Sequence, residues 1–183
     1  VTIAAKDLLD HWPLKREGKV AKGEAVALAQ FLAKLDIGLE PDVRFCNVKV
    51  DPNKEAVLFK PASDVSEEPT KAYTAATTLM RLAASISGAD GTISEDEENY
   101  LSHHLETALD LSKGECVRLG MYVQWLLLSP PSLAGLKQRL AGLSDTQRKK
   151  VAHFLIAVAN VDGQVDPEEV RVLKKIYNLL QLD

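Results

Sequence analysis

At 183 residues, 46% of them hydrophobic and 26% charged, the chain is long enough to bury a full core and too apolar to be disordered. Its formal charge of -4 argues against a nucleic-acid surface, and its longest apolar run, Met121 to Leu128, falls well short of the roughly 20 residues of a membrane helix. Two distant cysteines, Cys46 and Cys116, give neither a metal spacing nor a disulfide framework, which points to a reducing cytoplasm.

From the N-terminus, Ile3, Leu8, Leu9 and Trp12 recur at helical spacing until Pro13, predicting a short helix. A lysine-rich loop follows to Lys22. Ala25, Leu28, Ala29, Leu32 and Leu35 then predict a second helix, with Gly38 placed to close it in a left-handed cap. After Pro41 the period changes: VRFCNVKV and EAVLFK flank the turn sequence DPNK, so Val43 to Lys60 reads as a β-hairpin that needs a helical surface to lie on. PASDVSEEP, from Pro61 to Pro69, has linker composition. The boundary expected there gives an N-terminal segment over 1–69 and a helical domain over 70–183. Because the chain opens on Val1 rather than methionine, it reads as part of a longer multidomain protein.

Beyond Thr70 the patterns are helical only. Ala76, Leu79, Leu82, Ala83 and Ile86 form one stripe, and Leu101, Leu105 and Ala108 another. Ser94 with Glu97, Ser112 with Glu115, and Ser144 with Gln147 have the spacing of capping boxes, in which two side chains satisfy each other's backbone N–H groups. The helix opened by Ser112 is apolar almost all round between Met121 and Leu128 and is expected to be the central element. Ser132 caps a shorter helix ending at Gly142. Val151, Phe154, Leu155 and Val158 mark the next. Asp166-Pro167 opens the last, with Val170, Leu173, Tyr177 and Leu180 on its stripe.

One stretch occurs twice: GADGTISEDEENYL at Gly88 to Leu101 and NVDGQVDPEEVRVL at Asn160 to Leu173. Superposing the copies sets Leu82 on Phe154, Ile86 on Val158, Glu97 on Glu169 and Leu105 on Tyr177. The expected fold is therefore a mainly α, internally pseudo-symmetric helical bundle with a small N-terminal helix plus β-hairpin segment.

Each copy resembles the back half of a calcium loop. Asn160, Asp162, Asp166 and Glu169 fall on ligand positions around the turn glycine Gly163; the first copy offers Asp90 and Glu97 but has Gly88 in place of a ligand. The first loop position, normally Asp, is Ile86 or Val158, which continue the apolar stripe of the incoming helix. A full EF-hand is therefore excluded. Two readings remain for the acidic residues: a weak or water-completed site for a divalent cation (calcium, magnesium or zinc), or turn and helix caps that hold no metal.

At these residues the chain resembles the TerB family of tellurite-resistance proteins. The apolar helix, Ala89-Asp90-Gly91, Ile93 and the acid run Glu95 to Glu98 carry the likeness; Val161-Asp162-Gly163, Val165 and Asp166 to Glu169 repeat it, with Val161 where the family often has alanine. The resemblance covers about Thr70 to Asp183. It implies an all-helical, internally symmetric domain in bacterial cytoplasmic systems of tellurite resistance, chemical stress and phage defence, with Asp90, Glu97, Asp162 and Glu169 as its cation-site acids. LDIGLEPDVRF and AVLFK are similar to what precedes this domain in longer relatives.

Other candidates reduce to structure. His103 and His104 follow the acid run, but Glu97 and His104 lie two turns apart, roughly 10 Å along a helix, too far to share an ion. No motif of a hydrolase, di-iron or nucleotide site occurs, and Arg148-Lys149-Lys150 reads as a solvated helix face. The function expected is a non-catalytic, cation-binding module of a stress system. The alternative is a protein-interaction module of a larger protein with structural turns. Protein partners and further domains of the same chain are expected; nucleic acid and membrane insertion are not.

Overall fold

The computed structural model describes residues 1–13, 19–62, 68–87, 111–129, 133, 140–141, 143–161, 163 and 165–182. Among them are three strands, β1 (Thr2–Ala4), β2 (Gly38–Glu40) and β3 (Glu55–Phe59), and seven helices. The helices are α1 (Ala5–Leu9), α2 (Lys22–Lys34), α3 (Val43–Cys46), α4 (Lys71–Ser87), α5 (Lys113–Leu128), α6 (Asp145–Ala159) and α7 (Pro167–Leu180). The chain divides into two compact units: residues 1–77 with 109–129, and residues 78–108 with 130–183.

In the first unit the strands form an antiparallel sheet in the order β1-β3-β2. The register pairs Ile3 with Ala56 and Leu39 with Leu58. Strand side chains alternate, so these four share a face, and they join Leu28, Ala29 and Leu32 of α2 in one apolar cluster. Gly38, Glu40, Val57 and Phe59 take the opposite face by the same alternation. That face is covered by α5, which packs on β2 and β3. The helix is pinned there by Trp125, whose indole N–H donates to the Glu55 carbonyl at 3.1 Å.

The N-terminal segment holds helix and antiparallel sheet, as expected, but with different strands. Thr2–Ala4 pairs with β3, so the helix predicted from Ile3 starts only at Ala5. Val43 to Cys46 is a helical turn rather than a strand. Asp42 caps it, accepting from the Arg44 N–H at 3.0 Å, and Asn47 closes it at φ 57°. The β-rich composition of this run misleads because Val43, Phe45 and Cys46 are all buried, a spacing a strand cannot present to one face. Nor does Gly38 cap α2. Its place is in β2, and the left-handed residue after the helix is Asp36, at φ 60°. DPNK does form a turn, with Asp51 accepting from the Asn53 N–H at 3.0 Å, and it leads into β3.

Capping boxes were legible in detail. Ser112 and Glu115 exchange backbone hydrogen bonds at 3.2 and 3.1 Å, and Ser144 and Gln147 do so at 3.4 and 2.9 Å. Glu115 also ties α5 to the start of α4. Its Oε1 accepts from the Thr70 hydroxyl at 2.6 Å, and that hydroxyl in turn caps the Tyr73 N–H at 3.1 Å. The predicted Ser94–Glu97 box and most of the helix predicted after Ser132 lie outside the described residues.

In the second unit, α6 packs against α7. The stripes expected for α4 and α6 supply Leu82, Ile86, Phe154, Leu155 and Val158 to its core, whereas in α7 the buried apolar residues are Ile176 and Leu180, and of the expected stripe Val170 is exposed and Leu173 and Tyr177 are half-buried. Gln181, at φ 56°, ends α7, and Arg148 ties that end to α6 by donating to Gln181 Oε1 at 2.7 Å and to the Leu180 carbonyl at 3.4 Å. Lys149, Lys150 and His153 are exposed, as a solvated face requires.

Gly38 is a close-approach glycine: a Cβ there would lie within 2.7 Å of three ring atoms of Phe59, its partner across β2 and β3. Gly38→Ala is therefore expected to destabilise the protein by about 1–3 kcal/mol through overpacking. A second change, Phe59→Leu, should recover part of that loss if ring crowding is the cause, which urea denaturation of the single and double variants measures.

Candidate functional site

The second acidic turn begins where α6 stops. Helical bonds persist to its end: the Asn160 N–H reaches the Ala157 carbonyl at 3.3 Å, and the Val161 N–H reaches that of Val158 at 3.2 Å. Val158 is thus helical and fully buried, which removes the first ligand position of an EF-hand; Ile86 is fully buried in α4 in the same way. The Gly163 N–H then returns to the Asn160 carbonyl at 3.2 Å. Gly163 turns the chain at φ 77°, a conformation that strains any other residue type except Asn or Asp.

At the start of α7, Asp166 Oδ1 accepts from the Glu168 N–H at 2.8 Å, and Glu169 Oε2 accepts from the Asp166 N–H at 2.9 Å. Both acids therefore act as caps. Glu169 is only 6% exposed, whereas Asn160 is exposed. Of the residues singled out from the sequence, the structure sets Asn160, Asp166 and Glu169 on one helix-turn-helix segment; Asp162, Asp90 and Glu97 lie outside the described residues. Asn160, Asp166 and Glu169 offer oxygen donors only. That chemistry fits a hard cation such as calcium or magnesium better than zinc, which favours nitrogen and sulfur.

Composition gave no warning of a second polar centre, buried in the first unit. Arg118 of α5, 4% exposed, donates from Nη1 to Glu40 Oε1 at 2.8 Å and to Asp42 Oδ2 at 3.4 Å. Arg44 forks onto the same Asp42, its Nη2 2.7 Å from Oδ2 and its Nε 3.1 Å from Oδ1. The Arg118 guanidinium carbon lies 4.0 Å from the centre of the Phe45 ring and 5.3 Å from that of Phe59. Phe45 meets Tyr73 edge to face, with ring centres 5.8 Å apart. Two signals were available. Glu40 sits at the end of a short strand with its side chain on the α5 face, and Arg118 precedes the apolar stretch of α5; only the strand assignment, not evident in the sequence, connects them.

Burial dominates the electrostatics of this centre. Glu40 is pushed up to about 8 by desolvation; Arg118 pulls its carboxyl back down and Asp42 adds to the rise. Burial likewise drives the Tyr73 hydroxyl upward, and among the described residues that hydroxyl has no hydrogen-bond partner. The folded protein thus holds a proton on Glu40 that the unfolded chain, near its ordinary 4.5, releases. Stability from this group is complete below that ordinary value and is lost as pH rises toward 8. One such proton sets a slope of at most about 1.4 kcal/mol per pH unit. Glu40→Gln should flatten the fall in unfolding free energy between about pH 5 and pH 8 by up to that amount. Equal slopes in the two proteins, measured by urea titration, would contradict the assignment.

Comparison with known proteins agrees with the helical half of the chain. A family model described as "Tellurite resistance protein TerB" matches residues 74–183. No curated protein and no solved structure matches. The matched stretch includes α6, the Gly163 turn and α7, and takes in α5 and nearly all of α4 as well. Spanning more than half of the sequence and both acidic turns, it shows that the chain belongs to the TerB family.

Proposed function

We propose that the chain is a non-catalytic TerB-family module of a bacterial system for tellurite resistance or chemical stress, phage defence included, that works in the cytoplasm and binds a divalent cation weakly at its second acidic turn. The observation that supports this reading most is the helix-turn-helix around Gly163, where a left-handed glycine follows Asn160 and precedes the partly buried Asp166 and the buried carboxylate of Glu169. Asn160, Asp162, Asp166 and Glu169 would supply oxygens, with water completing the shell. The first turn would contribute Asp90 and Glu97 as a second, poorer site. An oxygen donor set favours calcium or magnesium over zinc.

The second reading is a protein-interaction module, within a larger multidomain protein, whose turns are purely structural. It is favoured by the capping box, in which Asp166 and Glu169 already satisfy backbone N–H groups.

Thermal unfolding after EDTA treatment, with calcium, magnesium or zinc then added back, separates the two readings. Binding to the native state alone raises the melting temperature with concentration, by about 2.7 kcal/mol of stability at a hundredfold excess over Kd. Calcium or magnesium should give that rise, and Asp162→Asn should abolish it. Glu169→Ala should cost about 1 kcal/mol as a lost cap whether or not metal is present. Absence of a shift for every ion at millimolar concentration would rule out the cation site and leave the turns as caps.

A further inference from the structure

Beside the buried charge centre of the first unit lies a cleft of about 450 Å³. Among the described residues its lining brings three cations, Lys34, Arg44 and Arg118, and no carboxylate. Glu40 and Asp42, the acids that hold the two arginines, are not part of that lining. Asp42 accepts from both guanidinium groups, and Glu40 from one. The guanidinium of Arg118 is held by Phe45 and Phe59, yet among the described residues its buried Nε–H has no hydrogen-bond acceptor. A buried charged donor without an acceptor is costly and uncommon, and it calls for an explanation. Ile37 and Phe45 give the same cleft an apolar wall.

We propose that this cleft binds a small organic oxyanion, a carboxylate or phosphate group carried on an apolar body. The oxyanion faces the Arg118 and Arg44 guanidinium groups, which suit planar, multidentate recognition of such groups. Lys34, exposed at the rim, adds charge without sharing an acid. The apolar body lies along Ile37 and Phe45. A cleft of this size matches the usual range for small-molecule sites, which are mostly apolar with a few convergent polar groups. With Glu40 holding its proton near neutral pH, the centre carries a net positive charge facing the ligand. This inference concerns residues remote in sequence from the acidic turns and does not rest on the cation reading.

The test titrates benzoate and phenyl phosphate into the ¹⁵N-labelled 183-residue chain, with neutral benzamide, acetate and inorganic phosphate as controls. One of the two aromatic anions is expected to shift amide signals of α2, β2 and α5 with a Kd of about 1 mM or tighter. Ala33→Trp, at an exposed α2 position in the lining, fills the cleft and should weaken binding at least about tenfold while the far-ultraviolet spectrum stays unchanged. Lys34→Ala should weaken it about threefold, as expected for one exposed charge. No response to either anion at about 10 mM overturns the proposal. So does benzamide binding as well as benzoate, or an unaltered affinity in Ala33→Trp. Acetate or inorganic phosphate binding as tightly as its aromatic counterpart would overturn the organic body.

Discussion

A single cation inside the first unit sets the terms for much of what surrounds it. Arg118 cannot be stripped of water without partners, and the Glu40 and Asp42 that answer it come from the end of β2 and the cap of α3. Taking Asp42 away would leave a buried charge short of compensation, a loss of about 3–5 kcal/mol in comparable cases. The alternation of β2 then follows as a requirement. Glu40 must face α5, so Leu39 must face α2, and Gly38 must leave room for the Phe59 ring that flanks the guanidinium. Fold and electrostatics are here the same constraint seen from two sides.

The second acidic turn shows how sparing the use of oxygens is. An N-cap and a metal ligand both want a short acidic side chain at a helix start, so one sequence pattern serves either end. In the structure the capping role is visible bond by bond, while Gly163 supplies a turn that both roles require. At a capped helix start a metal ligand and the backbone would compete for the same donors.

Helical periodicity and caps were legible in the sequence because both are local. Ser112 with Glu115, Ser144 with Gln147 and Asp166 with Glu169 lie three residues apart, and their hydrogen bonds need nothing from elsewhere. The apolar stripes through Ile86 and Val158 were legible for the same reason. Strands were harder. Val43 to Cys46 has strand composition but is capped by Asp42 into a turn, whereas Gly38–Glu40 is three residues long and owes its conformation to pairing with β3. The Arg118 centre was illegible on similar grounds, since 78 residues separate Arg118 from Glu40 and only tertiary contact brings them together. Among the acids of the two turns, Asp166 and Glu169 were placed correctly at the start of a helix, where a cap and a ligand would look alike.

Both tryptophans of the chain, Trp12 and Trp125, belong to the first compact unit. Trp125 is 4% exposed, stacked on Tyr122 at 5.8 Å and hydrogen-bonded to β3, while Trp12 is half-buried beside Phe31. Indole emission from this protein therefore reports the sheet and its covering helix, while α6, the Gly163 turn and α7 carry no tryptophan. Backbone dichroism, in contrast, weighs every helix. Following both optical signals through one denaturation gives a built-in, label-free comparison of the two units, and any separation between the curves measures how far each melts on its own.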